Sequence, residues 1–150
     1  MKVFVVSSVL VEFVKGNDEA KRILHKLSEV DAEVFINDIV FSEFVFHYIS
    51  LKSGVSPLAV KEKRRVGEYL GEEEPFDFIN QFGVLQVDEE IVKLSYKLMR
   101  KHNFLPNDAI ILATCIRHSV DLLATLDGDF EDACKEEGVK VALKAEDLSG

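Results

Sequence analysis

The sequence predicts an α/β protein: a three-layer α/β/α domain around a five-stranded, mostly parallel sheet. Two observations carry this. Val3-Phe-Val-Val6 is a continuous apolar run rich in β-branched residues, the pattern of a strand buried on both faces. Beyond it, short apolar runs alternate with helical-period segments to the end of the chain, the signature of helices covering both faces of a parallel sheet. At 150 residues the chain matches one domain, residues 1–150, with room for a real core.

Each element has a local reason. Val3–Val6 is the first strand, and Ser7 or Ser8 is positioned to cap the short helix that follows, Ser8 to Val14, closed by Gly16. Asn17 or Asp18 caps Glu19–Val30, where Ala20, Ile23, Leu24 and Leu27 keep the 3.6 period. Glu33–Asn37 is a second strand, followed by the strongly apolar helix Asp38–Ser53, closed by Gly54. Pro57 opens a helix that runs through the basic stretch Lys61-Glu-Lys-Arg-Arg65 to Gly71. The helices after the second strand form an arm on the sheet.

Phe76–Phe82 reads as a short helix and Val84–Val87 as the third strand. Asp88 caps Glu89–His102, whose end is basic, as a helix C-terminus favours. Pro106 starts a helix to about His118, Asp121–Thr125 is the fourth strand, and Asp127-Gly-Asp-Phe130 turns into a short helix ended by Gly138. Val139–Leu143 is the fifth strand, and Lys144–Gly150 is a tail.

Composition narrows the function. A formal net charge of -9 repels phosphate backbones, so nucleic-acid binding requires a local basic strip or a bound cation. Cys115 and Cys134 have no metal-ligand spacing, and Cys115 falls in an apolar helical pattern. No run reaches the length of a membrane span. Lys2 and the apolar residues after it lead into Glu12-Phe-Val-Lys-Gly16 rather than a small-residue cleavage site. The expectation is a reduced, cytoplasmic protein with no membrane association.

Three stretches place acids where charge is unusual. Glu43 sits in Ile39-Val-Phe-Ser-Glu-Phe-Val-Phe46, apolar on nearly every side. A buried carboxylate needs a cation, a donor or a route to water; the plain alternative is a solvated edge where Glu43 pairs with His47 at i, i+4. Asp108 stands in the first turn of an apolar helix, which by itself is an ordinary start signal. Asp127 and Asp129 follow an apolar strand and alone read as a turn with a cap.

Together they say more. In an open α/β sheet, ligands bind beyond the carboxyl ends of the strands, and all these acids can be aimed at that rim. Clustered carboxylates raise one another's pKa unless a cation is present. Mg²⁺ or Mn²⁺ takes such oxygen ligands and can activate water against a phosphate. Metal-assisted phosphodiester hydrolysis is the chemistry that fits.

Four stretches resemble PIN domains, specifically the VapC-type toxin ribonucleases of prokaryotic toxin–antitoxin pairs: Val3–Leu10, Ser42-Glu-Phe44, Pro106–Ala113 and Leu122–Phe130. The order and spacing agree from end to end. The resemblance implies an α/β/α hydrolase that cuts RNA with Mg²⁺ or Mn²⁺ held by a quartet of acids. Glu43, Asp108 and Asp127 match three of the four, and Asp129 matches a common additional acid. Thr125 matches a supporting hydroxyl; Ser7 and Ser8 match the polar pair after the first acid. That first acid is replaced: the pattern has Asp where this chain has Val6. The resemblance therefore implies reduced or lost catalysis, and a metal-free chain more stable than its Val6→Asp version.

The family also implies a homodimer and a cognate antitoxin that sends a basic residue into the acidic site. Lys61, Lys63, Arg64 and Arg65 are candidates for holding an RNA backbone, against the plainer reading of a solvated helix face. Two other functions remain open: a catalytically silent PIN domain that binds RNA or protein, and a phosphatase built on Asp127-Gly-Asp129. The second lacks an evident partner lysine.

Overall fold

The structure, a computed structural model, describes residues 1–148. Its centre is a five-stranded sheet, β1 (Lys2–Val5), β2 (Glu33–Asn37), β3 (Gly83–Leu85), β4 (Leu122–Ala124) and β5 (Lys140–Ala142), in the spatial order β3-β2-β1-β4-β5. Every neighbouring pair is parallel. Helices cover both faces: α1 (Ser7–Lys15), α2 (Asp18–Glu29), α3 (Asp38–Ser53), α4 (Pro57–Glu62), α5 (Val66–Tyr69), α6 (Phe76–Ile79), α7 (Glu89–His102), α8 (Pro106–Arg117) and α9 (Glu131–Glu137). The α/β/α reading stands, with the sheet fully parallel.

The apolar run at the start becomes the central strand, and Val3, Phe4 and Val5 are completely buried. The chain first builds outward from β1 through β2 to β3, then crosses to the other side with β4 and β5. The order reverses at β1, so the carboxyl ends of β1 and β4 lie side by side, with Val5 opposite Ala124. Such a reversal leaves a crevice between neighbouring strand ends, which is where open α/β sheets bind ligands.

Several boundaries differ from the sequence reading. Val6 leaves the β1 span and takes the N-cap position of α1, though its amide still donates to the Ala124 carbonyl at 3.1 Å. Neither serine caps that helix; both hydroxyls turn to more distant partners. The helix expected from Pro57 to Gly71 breaks: α4 stops at Glu62, Arg64 takes a left-handed conformation (φ 58°), and α5 begins at Val66. The β-branched and glycine residues that follow Arg65 give little intrinsic support to a continuous helix.

The third strand runs Gly83–Leu85, one residue earlier at its start and two shorter at its end than the expected Val84–Val87. A side chain at Gly83 would put its Cβ 2.7 Å from the Phe35 ring, so glycine is what lets β3 lie against β2. The final segment is more than a tail. Ala145–Leu148 forms a 3₁₀ turn, Asp147 accepts the Leu143 amide at 3.0 Å, and Leu148 is buried. Residues 149 and 150 of that segment lie outside the described residues. Among the described residues, no helix is long and apolar enough to cross a membrane.

Candidate active site

The crevice at the β1/β4 reversal is a cleft of about 160 Å³, lined by Val6, Ser7, Ser8, Glu43, Asp108, Ile111, Thr125, Asp127 and Phe130. Sequence reasoning selected all of these except Ile111 and Phe130, and the fold brings them together from four separate stretches. Asp129, two residues beyond Asp127, is exposed and adjoins the cleft without lining it. The basic residues Lys61, Lys63, Arg64 and Arg65 are not in its wall; they sit at the α4–α5 break, where Arg65 pairs with Glu68 at 2.8 Å. A larger cavity of about 720 Å³ lies beside β5 and α9, lined by both signs of charge, including Lys135, Lys140, Glu131 and Asp132. Size therefore does not mark the acidic site.

Glu43 is fixed at both oxygens. The Ser7 hydroxyl donates to Oε1 at 3.0 Å, and the Asn107 amide donates to Oε2 at 3.3 Å. The alternative pairing with His47 does not form: the two share no hydrogen bond or ion pair, although they are one turn apart on α3, and Glu43 finds donors as a buried carboxylate requires. The helix turns His47 out toward solvent, while Glu43 leans into the crevice and finds neutral donors on α1 and α8.

The Asp127 loop is held by hydroxyls. Thr125, fully buried, accepts the Asp127 amide at 2.9 Å, and Ser8 accepts the Leu126 amide at 3.1 Å. Ser8 and Thr125 lie 3.4 Å apart, oxygen to oxygen. Asp127 in turn accepts the Asp129 amide at 2.9 Å, an Asx turn that sets the orientation of its carboxylate. Below, Phe130 is buried and seals the base of the loop.

Asp108 is the contrast. It forms no hydrogen bond or ion pair among the described residues, and its carboxyl is pushed up to about 6. Burial is the main cause, followed by the negative charges of Glu43, Asp127 and Asp129. The Val6 side chain, 3% exposed, occupies the floor of the same cleft and offers no polar atom.

Sequence reasoning missed the clamp behind the site. Asn37, completely buried at the end of β2, accepts the Val40 amide at 3.0 Å and so caps α3. Its own amide donates to the Thr114 hydroxyl at 2.9 Å, and that hydroxyl donates to the Ile110 carbonyl at 2.7 Å. The clamp joins the helix that carries Glu43 to the helix that carries Asp108. The available signal was an asparagine directly before a helix; the distant threonine carried none.

The donor set is all oxygen, carboxylates with supporting hydroxyls, which in kind suits a hard dication such as Mg²⁺ or Mn²⁺. As placed, no three His, Cys, Asp or Glu side chains among the described residues stand close enough to enclose one.

Comparison with known proteins agrees with this architecture. The profile of the PIN domain matches residues 3–136. Ribonuclease VapC6 of Methanocaldococcus jannaschii is 36% identical over 138 residues, covering 86% of this chain and 90% of the relative. Ribonuclease VapC2 of the same organism is 32% identical over 130 residues, covering 87% of each. Among solved structures, a toxin–antitoxin complex from Klebsiella pneumoniae contains a chain with the same fold, at a TM-score of 0.60 and 21% identity, covering 85% of this chain and 89% of that one. The parallel sheet, the crevice at its reversal and the length of the match lead to one assignment: this chain belongs to the PIN-domain family, alongside the VapC ribonucleases.

Proposed function

We propose that this chain is a VapC-type endoribonuclease, the toxin of a toxin–antitoxin pair, with its metal-dependent activity reduced by Val6. The observation that supports this most is the convergence of Glu43, Asp108 and Asp127 on one crevice at the β1/β4 reversal. The two VapC relatives bear the name ribonuclease, and this chain carries acids where a phosphodiesterase needs them. Residues 1–150 act as one PIN domain, working in the cytoplasm as a homodimer. The antitoxin brings a basic segment to the acidic cleft.

Asp108, Asp127 and Asp129 would hold Mg²⁺ or Mn²⁺, with Glu43 beside them. When bound, the cation would draw the RNA phosphate to an acidic protein and make its water a stronger nucleophile. Glu43, held by Ser7 and Asn107, would orient the attacking water and accept its proton as the bond from phosphorus to the leaving ribose oxygen breaks. Ser8 and Thr125 keep the Asp127 loop from drifting. Lys61, Lys63 and Arg64 steer the RNA backbone from outside the cleft.

Val6 favours a second reading. Its apolar side chain is buried and stands where the resemblance implies an acid, so the chain can serve as a binding module that holds RNA or the antitoxin without cutting. The test is RNA cleavage in Mn²⁺ by this chain and by Val6→Asp, side by side. Cleavage by the Asp version alone, abolished by chelator, establishes a nuclease site disabled at one position. If neither version cuts structured RNAs, the binding module replaces the nuclease.

A further inference from the structure

The acidic cleft does not end at the serines. Ser7 and Ser8 also line a second hollow of about 210 Å³, completed by Val11 and Glu12 of α1 and by His47 of α3. It is smaller than the roughly 300 Å³ at which drug-sized pockets begin, and is on the scale of one ring system. His47 stands one helical turn beyond Glu43 and is exposed. It forms no hydrogen bond or ion pair among the described residues; its ring contact there is with Phe46, which meets it edge-on at 5.8 Å. An imidazole presented at the mouth of a cleft, free of internal partners, has a face available for stacking.

Glu12 decides what kind of group fits. One of its oxygens pairs with Lys15 at 3.6 Å, a long contact on the solvent side. A carboxylate in the wall repels a phosphate, so the backbone is not the occupant. It accepts well from the exocyclic amine of a base. Adenine, cytosine and guanine carry that amine. Uracil instead flanks its single ring N–H with two carbonyl oxygens, which a carboxylate repels.

We propose that this hollow is a nucleobase subsite of the cleft, in which His47 stacks on the base next to the scissile phosphate and Glu12 selects bases bearing an exocyclic amine. The proposal deepens the ribonuclease reading and rests on it for the position of the phosphate. It assigns His47 and Glu12 to specificity, and Ser7 and Ser8 to the shared wall between phosphate and base.

The experiment follows the ring signals of His47 by NMR in the full chain, assigned among the 4 histidines with a His47→Gln variant. The probes are the dinucleoside monophosphates ApA, CpC, GpG and UpU. We expect the His47 signals to move with the first three at about tenfold lower concentration than with UpU, the discrimination of one good polar contact to a base. Glu12→Gln, which also offers a donor, erases that difference. Followed on the backbone amide signals of Val11 and Glu12, which also line the hollow, His47→Ala weakens binding of every probe about tenfold, as loss of a stacking partner does, and His47→Phe restores it. A His47 signal that stays still under all four probes, or moves equally with UpU, overturns the subsite. Cleavage by Val6→Asp in parallel separates the two readings. If that variant cuts RNA while His47 stays still, the nuclease stands and the subsite falls. If His47 responds while nothing is cut, the base site stands without the nuclease.

Discussion

Glu43 and Asp108 face the same crevice and are held in opposite ways. Glu43 has a hydroxyl on one oxygen and an amide on the other. Asp108 has neither, is half-buried beside apolar Ile111, and carries a carboxyl pushed up to about 6. A carboxylate with donors in place is fixed for orientation. One left without them is spring-loaded for a cation that would relieve it. On the proposed reading, the contrast separates a residue that directs from one that holds, and it suggests how to take the cleft apart.

The largest expected effect is at the floor between the two. Val6→Asp should raise Mn²⁺-dependent RNA cleavage by on the order of a hundredfold or more, the upper range seen when the immediate surroundings of a metal site are altered. The same variant should melt at lower temperature without metal, since it buries a further charge among acids. Equal melting of the two metal-free chains would contradict the picture of crowded negative charge. In that active background, Glu43→Gln and Asp108→Asn should each abolish cutting, and only Asp108→Asn should markedly weaken Mn²⁺ binding measured by calorimetry.

Next comes the clamp that sets the two helices. Asn37→Ala removes a helix cap and one bond to the buried Thr114 hydroxyl, which keeps its bond to the Ile110 carbonyl, a loss of about 2 kcal/mol by denaturant unfolding. An unchanged midpoint would show the clamp to be dispensable.

Asp108 gives the pH signature. The folded chain keeps its proton up to about pH 6, while the unfolded chain releases it near 3.8. Metal-free stability therefore falls as pH rises through that window and stays lower above it. Asp108→Asn should stabilise the metal-free protein by about 1–2 kcal/mol above the window, after allowance for solvent screening, and give no advantage below it. The smallest effect is Ser7→Ala, a loss of about 1 kcal/mol for one partly exposed bond to a carboxylate. A larger fall in cleavage than in stability would confirm that Ser7 serves the direction of Glu43.

Much of this was readable from the chain. The β-branched run at Val3 to Val6 announced the central strand, and Asn17, Asp88 and Gly54 marked helix ends where the structure has them. The acids of the cleft were legible as charges misplaced in apolar runs. What escaped depended on partners far along the chain. Ser7 and Ser8 read as caps because a serine before a helix usually is one. Their actual partners, Glu43 and Leu126, lie 36 and 118 residues away. The Glu43–His47 pairing failed for the same reason, since a local neighbour lost to distant donors. The break at Arg64 escaped because nothing in Lys61–Arg65 forbids a helix, and the turn of Ala145–Leu148 because its anchor, Leu148, is a lone apolar residue.

The pairing of β1 with β4 has a consequence in time. Their ends are tied across 119 residues, from the Lys2 amide to the Asp121 carboxylate, and the cleft draws on stretches on both sides of that gap. During synthesis the first strand leaves the ribosome long before its partner on that side exists. Until the chain has grown past Phe130, β1 has one unpaired edge, and Glu43 and Asp108 have no Asp127 to face. A truncated product that ends before β4 therefore carries no complete cleft.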